Sequence, residues 1–256
     1  MKNNLFNIFV VVVLALLLIG GNVMAEDSLA EIQAEGKMVV GLDDSFPPMG
    51  FRDENGEIVG FDIDLVKEIA ELQGFEVEFR DISFDSLIPG LASGSLDMVA
   101  AGMTITAERK EVVSFSDPYY SANQSVLVHK DSEEDLTVLF GDNDIGVQTG
   151  TTGDLWVKEN VADPGLLTGE MRNYDTYVLV IRDLVNQNID GVVLDKPVAD
   201  TYSKSNPVDV VAEIITGEEY GIAVGKNNQA LQEEINAGLA KVIENGTMDQ
   251  LIEKYF

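Results

Sequence analysis

The sequence contains no cysteine and only one histidine, His129. Without cysteine, no disulfide can link parts of the chain and no lipid can be attached through a thiol. The usual ligands of a zinc site are therefore scarce, and no acidic stretch has the spacing of a calcium-binding loop. We expect neither a metal nor any other cofactor.

Positive charge is also scarce. The chain has 16 Lys and Arg residues against 45 Asp and Glu residues, which gives a net charge of -29 at pH 7. Such a surface repels nucleic acid and anionic lipid, so nucleic acid is excluded as a partner. The acidic residues are spread along the chain, which is typical of a solvated surface suited to salty surroundings.

Long apolar runs are missing except at the N-terminus. There, Lys2 precedes an apolar run of 15 residues from Leu5 to Ile19, shorter than the ~20 residues that span a bilayer. The run leads to small residues at Val23 and Ala25, which suit signal peptidase, so residues 1–25 are predicted to be a secretory signal peptide. A retained membrane anchor is the alternative. We expect a soluble protein in the periplasm or extracytoplasmic space.

Strand-like and helical patterns alternate after this segment. Ser28 and Glu31 form a capping-box pattern ahead of a short first helix. The next elements are a strand at Met38 to Leu42, a helix at Asp62 to Gln73, a strand at Phe75 to Phe79, a helix at Ser86 to Ser93 and a strand at Leu96 to Ala101. This order predicts a parallel sheet flanked by helices, with ligands beyond the carboxyl ends of the strands.

A second unit of the same kind follows. Its elements are a strand at Ile145 to Gln148, a helix at Thr176 to Asn186, a strand at Gly191 to Leu194 and a helix entered at Lys196. The chain then ends with a strand-like stretch at Tyr220 to Val224 and helices at about 229–245 and 247–254. The two units predict two sheets, each with polar residues at its strand ends.

A free amino acid held in a dry cleft needs a partner for its carboxylate and another for its ammonium group. Arg109 follows the helix-capping pattern of Thr106, where a guanidinium suits capture of a carboxylate. Asp195 directly follows an apolar strand, where its carboxylate is placed to hold an ammonium group. Taken alone, each residue has an ordinary alternative, because Arg109 also fits a helix surface and Asp195 a helix cap.

Five stretches together resemble one family. They are GFDIDLVKEIAELQG (Gly60 to Gly74), FDSLIPGLASGSLDMVAAGMTITAERKEVVSFSDPYY (Phe84 to Tyr120), GVQTGTTGD (Gly146 to Asp154), DGVVLD (Asp190 to Asp195) and ENGTMDQLIEKYF (Glu244 to Phe256). In this order they resemble the polar amino acid solute-binding proteins of ABC importers, the family of glutamine-, histidine- and lysine/arginine/ornithine-binding proteins. The resemblance covers essentially all of the chain after the signal segment.

The resemblance implies a two-lobed α/β fold of the periplasmic-binding-protein type, in which each lobe is a mixed, mainly parallel sheet flanked by helices. Two crossover strands, near Ser121 to Val128 and Gly217 to Val224, are expected to join the lobes. Lobe 1 would comprise 26–124 and 220–256, and lobe 2 would comprise 125–219. The protein would act as a monomer that passes a free L-amino acid to the membrane permease of an ABC importer.

The resemblance also implies a role for each site residue. Arg109 would bind the ligand carboxylate, helped by Gly102, Thr104 and the threonine loop with Thr151 and Thr152. Asp195 would bind the ammonium group. The predicted positions around the ligand side chain are the aromatic pair Phe46 and Phe84 and the polar pair Asp43 and Gln148.

Asp43 disfavours an acidic ligand by charge repulsion, so a basic amino acid or glutamine is expected. Two departures from the family's glutamine binders, Gln148 and Leu194, weaken the choice between these two. Extracytoplasmic dehydratases of the cyclohexadienyl type share the fold and are the enzymatic alternative. We expect no enzyme, because His129 falls in a crossover. A receptor's sensing domain, the third alternative, would require a signalling segment beyond Phe256.

Overall fold

The computed structural model describes residues 29, 32, 34 and 36–256. The predicted signal peptide and the capping-box pair Ser28 and Glu31 lie outside the described residues. Within the described part of the chain, none of the helices has both the length and the apolar character needed to cross a bilayer.

The described residues form an α/β structure with thirteen strands. The strands are β1 (Lys37–Leu42), β2 (Ser45–Phe46), β3 (Gly50–Arg52), β4 (Ile58–Val59), β5 (Glu76–Asp81), β6 (Met98–Val99), β7 (Val113–Phe115), β8 (Tyr120–His129), β9 (Ile145–Gln148), β10 (Met171–Tyr174), β11 (Gly191–Asp195), β12 (Val208–Tyr220) and β13 (Ala223–Gly225). The α-helices are α1 (Phe61–Gln73), α2 (Phe84–Ala92), α3 (Ala107–Val112), α4 (Thr152–Val157), α5 (Tyr177–Val185), α6 (Lys196–Ser205), α7 (Gln229–Glu244) and α8 (Thr247–Tyr255).

The strands form two five-stranded sheets and one small antiparallel sheet of β2, β3 and β4. The first large sheet has the order β5-β1-β6-β13-β7, and its β1 pairs in parallel with β5 and β6. The second has the order β10-β9-β11-β8-β12, and its β9 pairs in parallel with β10 and β11. We call the elements around the first sheet lobe 1 and those around the second lobe 2. The predicted two-lobed α/β architecture with mixed sheets is confirmed. Each large sheet has two parallel and two antiparallel strand pairings.

Helix α1 shows how the local sequence sets these elements. Its core face contains Ile63, Val66 and Ile69, all buried at helical spacing. The helix ends at Gly74, whose φ of 80° places it in the left-handed region that glycine adopts without strain. The chain then turns into β5, which pairs along the whole length of β1.

The long strands β8 and β12 connect the two lobes. They pair antiparallel from Val208 and His129 at one end to Tyr220 and Tyr120 at the other. At the Tyr220 end the chain passes directly into β13 of lobe 1. The predicted crossover near Ser121 to Val128 lies on β8, and the one near Gly217 to Val224 runs from the end of β12 into β13. The residue boundaries proposed for the lobes stay a prediction.

Two predicted strands differ from the structure. The apolar stretch Leu96 to Ala101 is buried, but only Met98–Val99 forms a strand, because β1 and β13 pair with it over two residues each. The stretch Tyr220 to Val224 is not one strand. Tyr220 ends β12, and β13 begins at Ala223 in the other sheet, so the chain changes sheets there.

The apolar core joins the lobes. One buried cluster includes Phe46 and Met49 of lobe 1 together with Tyr177 and Tyr202 of lobe 2. The Tyr202 hydroxyl donates to the Ser45 carbonyl at 2.9 Å, and the Tyr177 amide donates to the Ser45 hydroxyl at 3.1 Å. The two lobes are thus closed against each other.

Candidate functional site

Buried polar side chains gather where the lobes meet. Asp43 follows β1, Gln148 ends β9 and Asp195 ends β11, so all three lie at carboxyl ends of strands. Asp43, Arg109, Gln148 and Asp195 are each at most 8% exposed. Burial of so many charged and polar groups at one interface costs desolvation free energy unless they form hydrogen bonds or ion pairs with one another or with a ligand.

Arg109 reaches from lobe 1 to lobe 2. The Thr106 hydroxyl accepts its amide N–H at 3.1 Å, which caps α3 and orients the first turn. Its Nη1 donates to the Thr104 carbonyl at 2.8 Å, and its Nη2 donates to the Gly150 carbonyl at 3.0 Å. The guanidinium carbon lies 5.3 Å from the centre of the Phe84 ring. Burial lowers the pKa of Arg109, but a guanidinium stays protonated in proteins.

Asp195 is the buried carboxylate on the opposite side. It accepts a hydrogen bond from Gln124 Nε2 at 2.7 Å and another from the Tyr220 hydroxyl. Burial, followed by the nearby Glu218 carboxylate, raises the pKa of Asp195 to about 7. A cation beside Asp195 would therefore stabilise its ionised form.

Thr104 and Thr152 face each other across the cleft. Their hydroxyl oxygens are 3.4 Å apart, and both hydroxyls donate to Glu218 Oε2 at 2.7 Å. Gln124 Nε2 donates to Glu218 Oε1 at 3.0 Å and also lies 3.2 Å from the Thr152 hydroxyl. These groups form one polar network with Asp195.

Asp43 and Gln148 form a second polar pair across the lobes. Gln148 Nε2 donates to Asp43 Oδ2 at 2.5 Å and to the Asp175 carbonyl at 2.9 Å. The other Asp43 oxygen accepts from the Ser45 amide and hydroxyl at 2.8 and 2.6 Å. Gln148 Oε1 is buried without a hydrogen-bond partner among the described residues. Burial raises the pKa of Asp43.

Further acidic groups surround the Asp43 end of the cleft. Carboxylate oxygens of Asp43, Asp44 and Asp81 lie within 4.8 Å of one another. The Arg52 side chain forms ion pairs with Asp44 and Asp81, and no ion pair to Asp43 is formed by the residues that the structure describes. The field at this end is negative and favours a cationic group.

The predicted aromatic residues lie in different surroundings. The Phe46 ring packs 5.8 Å from the ring of Tyr177 and 6.5 Å from that of Tyr220. It also lies against Gly102, where an added Cβ would come within 2.5 Å of the ring. Phe84 belongs to a separate buried cluster in lobe 1 and packs on Arg109. Their joint contact with a ligand side chain stays a prediction.

The interface thus brings together most of the residues expected from the sequence. The Thr151 hydroxyl differs, because it is engaged within its own loop, donating to the Gln148 carbonyl at 2.8 Å and accepting the Asp154 amide at 3.2 Å. Sequence reasoning missed Gln124, Glu218 and Tyr220. Glu218 lies two residues before Tyr220, and this period-two spacing near the predicted crossover was the available signal.

His129 lies away from this interface. It ends β8, five residues after Gln124, so about 17 Å of extended strand separates the two. Its Nδ1 accepts the amide N–H of Asp131 at 3.1 Å. The described arrangement gives this histidine a local structural contact outside the cleft.

Comparison with known proteins identifies a family and several similar proteins. The model of the family described as bacterial extracellular solute-binding proteins, family 3, matches residues 38–256. A probable histidine-binding protein of Neisseria gonorrhoeae is 36% identical over 252 residues, covering 95% of this chain and 91% of that protein.

Two solved structures of an ancestral arginine-binding protein are also similar. The one bound to glutamine is 44% identical with a TM-score of 0.81, and the one bound to arginine is 43% identical with a TM-score of 0.81. In both comparisons the match covers 86% of this chain and 98% of the other.

Proposed function

Because the chain belongs to family 3 of the bacterial extracellular solute-binding proteins, we propose that it captures one free polar amino acid between its lobes. It acts outside the cytoplasmic membrane as a monomer and delivers this cargo to the permease of an ABC importer. The arginine-, histidine- and glutamine-related names of its relatives support a polar cargo.

The arrangement of Arg109 and Asp195 carries this proposal. A zwitterion buried in the cleft has its carboxylate on the Arg109 guanidinium and its ammonium group on Asp195, so each buried charge gains a partner. Two groups from opposite lobes thus hold the two charges that all free amino acids share.

The residues at the Asp43 end of the cleft indicate the class of cargo. Asp43 is 2% exposed and has no ion-pair partner among residues 36–256, although three N–H or O–H groups donate to it. Gln148 Oε1 adds an unused acceptor. A side chain rich in donors satisfies both groups, and a positive charge satisfies Asp43 best. The cargo is therefore a basic amino acid, with glutamine as the second choice.

Closure of the lobes couples binding to delivery. Arg109 and Phe84 belong to lobe 1, whereas Asp195, Thr152 and Gln148 belong to lobe 2, so a ligand contacts both sets only in the closed form. A ligand shifts a conformational equilibrium by its difference in affinity for the two states. The importer then recognises the closed form as the loaded protein.

Calorimetry with each of the twenty amino acids tests the proposal. We expect arginine, lysine, histidine or glutamine to bind, and glutamate and aspartate to give no heat. Tight binding of glutamate without a response to arginine or glutamine would contradict the assigned role of Asp43. Absence of binding by all twenty would contradict the proposed function itself.

The protein is proposed to be a binder and not an enzyme. Its single histidine lies outside the cleft, and its buried carboxylates are placed to hold charges of the cargo. Incubation with prephenate and with arogenate, followed by chromatography, should return both compounds unchanged. Formation of a dehydrated aromatic product would instead establish the dehydratase alternative.

A further inference from the structure

Glu218 lies on the crossover strand β12, where the polypeptide makes a local irregularity. The pairing register with β8 shifts between Ile214 and Glu218, and Gly217 has a φ of 64°. The Asn123 side-chain oxygen accepts the amide N–H groups of Thr216 and Gly217 at 3.1 and 2.9 Å. Bulges of this kind redirect side chains next to functional sites. Here the bulge immediately precedes Glu218, and the Glu218 carboxylate lies at the interface between the lobes.

The two oxygens of the Glu218 carboxylate have different partners. Oε1 accepts from Gln124 Nε2 at 3.0 Å and from the Thr216 hydroxyl at 2.9 Å, both on the crossover strands. Oε2 accepts from Thr104 of lobe 1 and Thr152 of lobe 2, each at 2.7 Å. The carboxylate is thus fixed to the crossover by one oxygen and to both lobes by the other.

We propose that Glu218 is a positioning residue that clasps the two lobes in the closed form and sets how readily the cargo is released. Only the effect on cargo release rests on the proposed function; the contact between the lobes does not. One ionised oxygen shared by two hydroxyl groups makes two short charge-assisted hydrogen bonds, which are stronger than neutral ones. Opening of the cleft separates Thr104 from Thr152 and breaks at least one of these bonds.

Repulsion between carboxylates in the cleft would have the opposite effect on closure. Glu218 lies close enough to Asp195 to raise the pKa of that carboxyl, so the two carboxylates repel each other in the closed form. If repulsion were the main effect of Glu218, removal of its charge would favour closure. If bridging is the main effect, removal favours opening.

Three variants separate these effects. Glu218→Gln removes the charge and keeps the length, and Glu218→Asp keeps the charge but is one methylene too short to reach both threonines. Glu219→Gln is the matched control, because Glu219 is the adjacent residue and is exposed. Circular dichroism confirms that each variant is folded before it is compared.

The lack of cysteine allows a dye pair to be placed on Glu54→Cys in lobe 1 and Val178→Cys in lobe 2. Val178 and Arg52 line one groove between the lobes, so this dye separation increases when the cleft opens. In the ligand-free protein we expect Glu218→Gln and Glu218→Asp to lower the closed-to-open ratio by about tenfold, and Glu219→Gln to leave it unchanged. Dissociation of L-arginine and L-glutamine should accelerate by a similar factor in the same two variants.

An unchanged or shorter dye separation in Glu218→Gln would overturn the proposal. A faster dissociation without any change in separation would also overturn it, because Glu218 would then act on the cargo directly. Failure of the wild-type protein to bind any amino acid would refute the proposed function alone. The comparison of ligand-free variants would still decide whether Glu218 is a clasp.

Discussion

Replacement of Asp195 by asparagine gives the sharpest test of the site. Asp195→Asn keeps the shape of the side chain and removes its charge. The amide oxygen can still accept from Gln124, and the amide N–H can contact the Tyr220 oxygen, with the direction of that hydrogen bond reversed. What is lost is the counter-charge for the ammonium group of the cargo.

The magnitude follows from the burial of Asp195, which is 3% exposed. Removal of one partner from a buried, hydrogen-bonded charge pair costs about 2 to 5 kcal/mol. This corresponds to a rise in Kd of roughly 30-fold to several thousand-fold. The free energy of unfolding of the ligand-free protein should not fall, because burial already disfavours the ionised carboxylate and raises its pKa to about 7.

Calorimetry gives the affinity, and thermal unfolding with and without ligand gives the stability. Asp209→Asn is the matched control, since it makes the same charge change at an exposed position of lobe 2. We expect Asp195→Asn to lose the ligand-induced rise in Tm while Asp209→Asn keeps it. A Kd within threefold of wild type for Asp195→Asn would refute the assignment of the ammonium site.

Four further predictions concern neighbouring groups. Arg109→Ala should leave the circular dichroism spectrum unchanged and weaken binding by about 2 to 5 kcal/mol in calorimetry, because the cargo carboxylate loses its buried partner. Binding should also weaken about tenfold per pH unit as the pH falls below about 7, because the cargo ammonium must displace a proton from Asp195, and calorimetry across pH should show no such slope in Asp195→Asn. Burial raises the pKa of Asp62 to about 7 against an ordinary value of 3.8, so between these pH values its carboxyl is protonated in the native protein and ionised in the unfolded chain. The free energy of unfolding should therefore fall as the pH rises from about 4 to about 7. Urea unfolding of Asp62→Asn should lack this decline. Gly102→Ala should cost about 1 to 3 kcal/mol in urea unfolding and weaken binding in calorimetry, because the new Cβ displaces the Phe46 ring; unchanged values would show that the ring moves without cost.

The elements with strong periodicity were predictable from the sequence. Ile145–Gln148 forms the strand expected there, and the helix expected at Asp62 to Gln73 is found at Phe61–Gln73. Their apolar spacing and the stop at Gly74 are local properties of the chain. The narrow strand Met98–Val99 was not predictable in the same way, since its length depends on how far two neighbouring strands run beside it.

The site residues also differ in whether the local sequence predicts them. Arg109 and Asp195 stand out locally, one behind a helix cap and the other after an apolar strand. Gln124 and Glu218 do not, because they lie on long strands whose polar residues resemble ordinary solvent-facing positions. Their roles depend on pairing between segments 94 residues apart, which the period-two spacing of Glu218 and Tyr220 does not reveal by itself.

The charge balance of the closed cleft links specificity to closure. Asp43, Asp195 and Glu218 contribute three carboxyl groups, whereas Arg109 is the cation that reaches across both lobes. A zwitterion with a neutral side chain adds no net charge and leaves this acidic excess in place when the lobes close. A basic amino acid brings one further positive charge to Asp43, which forms no ion pair with the described side chains, since Arg52 pairs with Asp44 and Asp81. The same closure therefore costs less electrostatic free energy around a basic cargo than around a neutral one, and most around an acidic one.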